Sequence, residues 1–129
     1  MEQLRSKPVV GKKLWAIAEG YIPRGSHGRQ PAMVSHETLC ILNTTVHKAS
    51  IKLHIYFSER DPAGPFTLEV PACRTRHIRF NELTSPEPIP LETDFSCVIE
   101  SDQPVVVQHT RLDSRQAENA LMTTMAYAE

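Results

Sequence analysis

The sequence predicts an all-β protein, an antiparallel sandwich of two sheets built from seven or eight short strands. Three observations carry that expectation. Apolar residues recur with a period of two along most of the chain, and the runs are rich in β-branched side chains, the pattern of half-buried strands. Turn chemistry separates the runs, drawn from 10 prolines in 129 residues, since proline fixes φ and withholds a ladder donor. No segment shows the spacing of a long amphipathic helix, so strands must pack on strands.

The first expected strand is residues 14–21, LWAIAEGY, and the second is residues 35–43, SHETLCILN. Residues 51–57 form the third, where Ile51, Leu53, Ile55 and Phe57 alternate with Lys52, His54 and Tyr56, giving one face to the core and one to water or a partner. Asp61-Pro62-Ala63-Gly64-Pro65 reads as a turn, and residues 66–70 and 73–80 give strands on either side of Pro71. Residues 95–101 and 104–112 read as two strands, because Ser101-Asp102-Gln103-Pro104 has turn composition. Asp113 and Gln116 have the spacing of a capping box, whereas Met122, Thr123, Thr124, Met125 and Tyr127 suit a returning strand. A turn followed by a strand is the reading adopted.

Two connections are long. Residues 22–34 are rich in Gly, Pro and basic side chains, and a loop of this length in a small domain is usually functional or disordered. Residues 84–92 carry Pro86, Pro88 and Pro90, which makes a stiff extended crossover. The domain assignment is therefore a basic, flexible N-terminus over residues 1–13 and a single sandwich over residues 14–129. A domain of this size buries roughly two thirds of its unfolded surface and needs no disulfide or metal to hold a core.

Charge and composition exclude several functions. The net charge is −1 and aromatic residues make up 6%, so neither the cationic face nor the stacking platform of a nucleic-acid coat is expected, and DNA is an improbable partner. Cys40, Cys73 and Cys97 are odd in number and widely spaced, which fits reduced, buried thiols and not a disulfide framework. The N-terminus carries Arg5, Lys7, Lys12 and Lys13 without an apolar run, so it is no secretory signal, and no stretch has the length of a membrane helix. A soluble, cytoplasmic protein is expected. The six histidines show no HxH or HExxH spacing, the cysteines show no CxxC, and no glycine-rich phosphate loop is present. Ser35, His36 and Glu37 are adjacent, but neighbours on a strand point to opposite faces and form no triad. Neither an enzyme, nor a metal site, nor a cofactor is expected.

The informative feature is that core-facing rows turn polar at one end. Trp15 and Ile17 share a face with Glu19, Leu39 and Ile41 share one with Glu37, and Val105 and Val107 share one with His109 and Arg111. If strands alternate in direction, Glu19, Glu37, His109 and Arg111 meet at one end of the sandwich. Charges on an inner face must pair or line a wet cavity. Two readings follow: a small polar pocket with Trp15 as floor and the 22–34 loop as lid, or strand ends whose charges only pair with one another. Arg74 and Arg76 fall at the opposite end and are candidate interface residues, expected to meet, within the chain or across a subunit contact, an acidic segment that holds 6 carboxylates and no basic residue over positions 81–102.

The runs LWAIAEGYIP (14–23), SHETLCILN (35–43), RHIRFNEL (76–83) and VVQHTRLDSRQAENAL (106–121) closely resemble the Anabaena sensory rhodopsin transducer family. The resemblance extends over residues 14–127, with departure expected in the N-terminal basic stretch and at the tip of the 24–30 loop. It implies a small β-sandwich that assembles as a homotetramer and acts in signalling. The function expected from it is small-molecule binding, with sugars or polyol-like metabolites as ligands; the alternatives are contact with a membrane photoreceptor and a DNA-binding role, which has been suggested for the family's namesake. Trp15, Glu19, His36, Glu37, His109 and Arg111 all lie within the matching runs and are the candidate ligand-binding residues. Carboxylates accept hydroxyl hydrogen bonds, Arg and His donate them, and an indole covers a sugar's apolar face. An apolar C-terminal run over residues 121–128 adds a sequence reason to expect assembly.

Overall fold

The computed structural model describes residues 8–129. The flexible N-terminus expected over residues 1–13 lies partly outside them. Eight strands follow in order among the described residues: β1 Lys12–Gly20, β2 His36–Asn43, β3 Ala49–Phe57, β4 Ala63–Val70, β5 Arg74–Arg79, β6 Phe95–Asp113, β7 Ala120–Met125 and β8 Tyr127–Ala128. All pairings are antiparallel. The fold is the expected two-sheet sandwich.

The strand β6 organises both sheets. Its first part lies between β1 and β3, giving the order β4-β3-β6-β1-β8. Its second part lies between β2 and β7, giving the order β5-β2-β6-β7. The two strands expected over residues 95–101 and 104–112 are thus one strand of 19 residues. The reason is local. Pairing with β3 ends at Ser101 and pairing with β2 begins at Val106, so Pro104 sits at the changeover, where its missing N–H deprives no central ladder.

Two further boundaries differ from expectation. β1 begins at Lys12, so Lys12 and Lys13 belong to the strand. β4 begins at Ala63, inside the expected turn. There the register shifts between Leu53 and Ile55, and Gly64 takes φ +129° with its missing Cβ only 2.7 Å from the Leu53 carbonyl oxygen. Glycine alone adopts that conformation readily, and Pro65 is tolerated because β4 is an edge strand. The C-terminal segment is a turn followed by strands, as expected.

Alternation places Trp15, Ile17, Leu39, Ile41, Ile51, Leu53, Ile55, Phe66, Ile99 and Val107 between the sheets, all buried. Each fully buried aliphatic side chain contributes about 1.5–3 kcal/mol relative to exposure. Ile22, Phe80, Leu83 and Ile89 come from the connections and close the remaining gaps. Phe80 meets Phe95 edge to face at 5.1 Å between centroids, a favoured aromatic geometry. Cys97 is buried, and its thiol pKa is pushed up by that burial. Cys40 and Cys73 are only half-buried, against the expectation for all three. Cys40 lies on the outer face of β2, opposite to Leu39 and Ile41.

Candidate functional site: a buried carboxylate between the sheets

Strand parity brings four charged side chains to one end of the sandwich. Glu37 precedes Leu39 and Ile41 on the inner row of β2, and the register sets it opposite Arg111 on β6, with His109 opposite Leu39. Glu19 lies two residues past Ile17, where the register of β1 shifts before Gly20, and its side chain is exposed. The four expected partners therefore meet.

Glu37 is fully buried. Its Oε1 accepts from the Tyr21 backbone N–H at 2.8 Å and from Arg111 Nε at 2.8 Å, with Arg111 Nη2 at 2.7 Å. Its Oε2 lies 2.5 Å from His109 Nε2, which donates. Arg111 then forks onto Glu19, from Nη1 to Oε1 at 3.0 Å and from Nη2 to Oε2 at 2.8 Å. The hydrogen bonds to Glu19 and Glu37 raise the Arg111 pKa against its partial burial. The same guanidinium holds the Glu19 carboxyl below its ordinary value. A buried charge is tolerated only when its lone pairs are met in this way. Both Glu37 oxygens are occupied within the chain. The groups left to meet an outside molecule are the rim, since the Glu19 side chain is 70% exposed and that of Arg111 18%.

The other candidates lie elsewhere. Trp15 shares the inner row of β1, but four residues separate it from Glu19, about 13 Å of strand. Its indole N–H donates to the carbonyls of Lys12 and Val105 at 2.9 and 3.0 Å, so it latches β1 to the middle of β6 and forms no floor beneath Glu37. His36 precedes Glu37 and so turns to the outer face, where Nδ1 lies 2.6 Å from the Val34 carbonyl. It lines a recess of about 390 Å³ with Thr38, Cys40, His77 and Arg79 among its walls. Arg74 and Arg76 sit on the edge strand β5 and donate to the main-chain carbonyls of Cys73 and Glu69. Within the chain they are not paired with the acidic 81–102 segment, whose Glu87, Glu92 and Glu100 are bonded to Arg60, Arg24 and His54.

The 22–34 loop is pinned down by two hydroxyls that the sequence reading missed. Ser35 Oγ donates to the Gly25 carbonyl at 2.7 Å and accepts from the Ser114 N–H at 3.0 Å, while Ser114 Oγ donates to the Met33 carbonyl. Both serines are buried. Their signal was positional: one precedes β2 and the other follows β6, the two strands that meet at Glu37. A second recess, of about 440 Å³, opens beside Glu19 and is lined by Tyr56, Phe57, Ser58, Asp94 and Ser96 among others. Among the described residues no cluster of three or more His, Cys, Asp or Glu is placed to hold a metal, and no helix is long and apolar enough to cross a membrane.

Comparison with known proteins gives a consistent result. The family model for the Anabaena sensory rhodopsin transducer matches residues 10–128. The crystal structure of Thermotoga maritima 1070 superposes with a TM-score of 0.83 at 36% identity, covering 92% of this chain and 96% of that one. A structure of the Anabaena sensory rhodopsin transducer superposes with a TM-score of 0.70 at 48% identity, covering 81% of this chain and 100% of that one. No curated protein sequence matches the chain.

Proposed function

The chain belongs to the Anabaena sensory rhodopsin transducer family, and from that premise we propose that it is a signalling transducer, working in the cytoplasm and acting by direct contact with a membrane photoreceptor. The observation that carries this reading is the 48% identity to a sensory rhodopsin transducer over that protein's whole length. The site geometry agrees with a contact role. Glu37, His109 and Arg111 are consumed in bonding the two sheets together, which favours a rigid body over an open pocket.

The working form in this proposal is a homotetramer, the assembly the family resemblance implies. Its support in this chain is the C-terminal edge. All six residues of β7 are exposed, with Leu121, Met122 and Met125 more than half so, and Tyr127 follows at 66%. Apolar residues on both faces of an edge strand are costly unless another chain covers them.

A second reading, binding of a sugar or polyol-like metabolite, is favoured by one feature. The recess beside Glu19 combines an exposed tyrosine ring, Tyr56, with the carboxylates of Glu19 and Asp94 and the hydroxyls of Ser58 and Ser96, the donor and acceptor mix that polyols fit.

The experiment is binding of the purified protein to a sensory rhodopsin in lipid nanodiscs, in the dark and under illumination. Affinity that changes with light supports the transducer. Absence of binding in both states, with thermal-shift hits for sugars that vanish in a Tyr56→Ala variant, gives the protein to the second reading. A ligand at 100 times its Kd raises stability by about 2.7 kcal/mol, which such a screen detects.

A further inference from the structure

The sequence Arg74-Thr75-Arg76-His77-Ile78-Arg79 forms β5, the edge of the sheet β5-β2-β6-β7. Among the described residues β5 pairs with β2 alone. Along its other side, alternate residues therefore turn their backbone N–H and C=O groups outward without a strand to receive them. Alternation sets Arg74 and Arg76 toward one face of this edge and His77 and Arg79 toward the other, so a strand laid alongside would have cations on both sides of it.

Among the described residues these cations are not neutralised. Arg74 and Arg76 each donate to one main-chain carbonyl, at 3.0 and 2.8 Å, and Arg79 donates to the Pro31 carbonyl at 3.0 Å. Among the described residues none of the three has a carboxylate partner, and nearby Glu69 is paired with Lys48. Five donors per guanidinium leave most of each fork free. A second copy of β5 would bring arginine against arginine, and like charges placed opposite each other destabilise a strand pair. The edge thus rejects itself and selects the opposite sign.

We propose that β5 is a docking edge for an extended acidic segment of a partner protein, which adds to the sheet as a further strand. Main-chain hydrogen bonds give the affinity and the flanking arginines the specificity. The open ladder selects a peptide over a phosphate polymer, which has no N–H and C=O groups at strand spacing. The partner is not the photoreceptor. Cytoplasmic loops of membrane proteins carry an excess of Lys and Arg, which this edge repels. The proposal therefore goes beyond the transducer reading and supplies a second protein on the output side of the signal.

The test uses the full chain and a fluorescent synthetic peptide of alternating Glu and Val, read by anisotropy. The expected result is saturable binding that weakens with salt and falls by about tenfold or more in the Arg74→Glu, Arg76→Glu double variant. N-methylation of alternate peptide amides removes the ladder and is expected to weaken binding as strongly. These exposed substitutions leave the thermal midpoint and receptor binding unchanged. Absence of binding overturns the proposal. So does an N-methylated peptide that binds as tightly as its parent, or polyphosphate that competes as well as the peptide at equal charge, because either makes the edge a mere anion surface. Loss of receptor binding in the double variant overturns the assignment to a separate partner.

Discussion

Glu37 and Arg111 stand directly opposite each other across β2 and β6, and from that position the Arg111 guanidinium also grips Glu19 on the other sheet. One side chain thereby ties the sheets together at the end where the apolar core runs out.

Removing Glu37 leaves the buried His109 imidazole without its acceptor and takes from the partly buried Arg111 guanidinium one of its two carboxylates. Glu37→Ala is expected to cost about 3–5 kcal/mol in urea unfolding, the range for breaking a buried pair from one side. A loss below 1 kcal/mol would show that Glu37 is no structural strut.

Glu19 is at the wet end of the same network, and its effect is small and pH-dependent. Its folded-state carboxyl is held below the ordinary 4.5 by the hydrogen bond from Arg111. Its contribution is therefore fully present above that value and is lost as pH falls through the lower, folded one. At 70% side-chain exposure the contribution is screened to about 1 kcal/mol or less. Wild type and Glu19→Gln should differ by that amount at neutral pH and converge in acid. A difference that persists in acid would contradict the linkage.

Trp15 is the one tryptophan and is buried at the β1–β6 latch. Its emission should be blue-shifted in the native protein and should move red in a single step with unfolding. Trp15→Phe keeps an aromatic ring but removes the indole N–H shared by two carbonyls, at an expected cost of about 1–3 kcal/mol. A neutral substitution would mean that the latch is dispensable.

Alkylation should distinguish the three thiols. Cys97 is buried and its pKa is raised by that burial, so native protein treated with iodoacetamide should be labelled at Cys40 and Cys73 alone. Peptide mass spectrometry that finds Cys97 modified before unfolding contradicts this.

Light scattering after size exclusion tests the assembly. A mass near 14.5 kDa would exclude the tetramer. Met122→Asp and Leu121→Asp, placed on the two faces of β7, are expected to release monomers from it.

The fold was legible because inner and outer residues alternate so regularly in runs such as IKLHIYF, residues 51–57. The meeting of Glu19, Glu37, His109 and Arg111 was legible for the same reason, since each sits in an otherwise apolar inner row. What parity does not encode is distance along the strand, so Trp15 was grouped with residues about 13 Å away. Nor does local composition show which neighbours a strand will have. Pro104 marks a break wherever a ladder continues on both sides, but in β6 the neighbours themselves change at that point. The pins at Ser35 and Ser114 are short hydroxyl contacts between distant segments, with no periodicity to announce them.

The sharing of β6 between the sheets also fixes the order in which the protein can be completed during synthesis. Among the described strands only β3 with β4 and β2 with β5 can pair before residue 95 has been made. Among the described residues β1 has no neighbour but β6 and β8, so the earliest-made of these eight strands is among the last to find its place. Its Trp15 and Ile17 face stays open through most of translation, the period when exposed strand edges invite chaperones or aggregation. Closure of the sandwich is a late event, governed by contacts distant in sequence, and a chain halted before residue 95 can finish neither sheet.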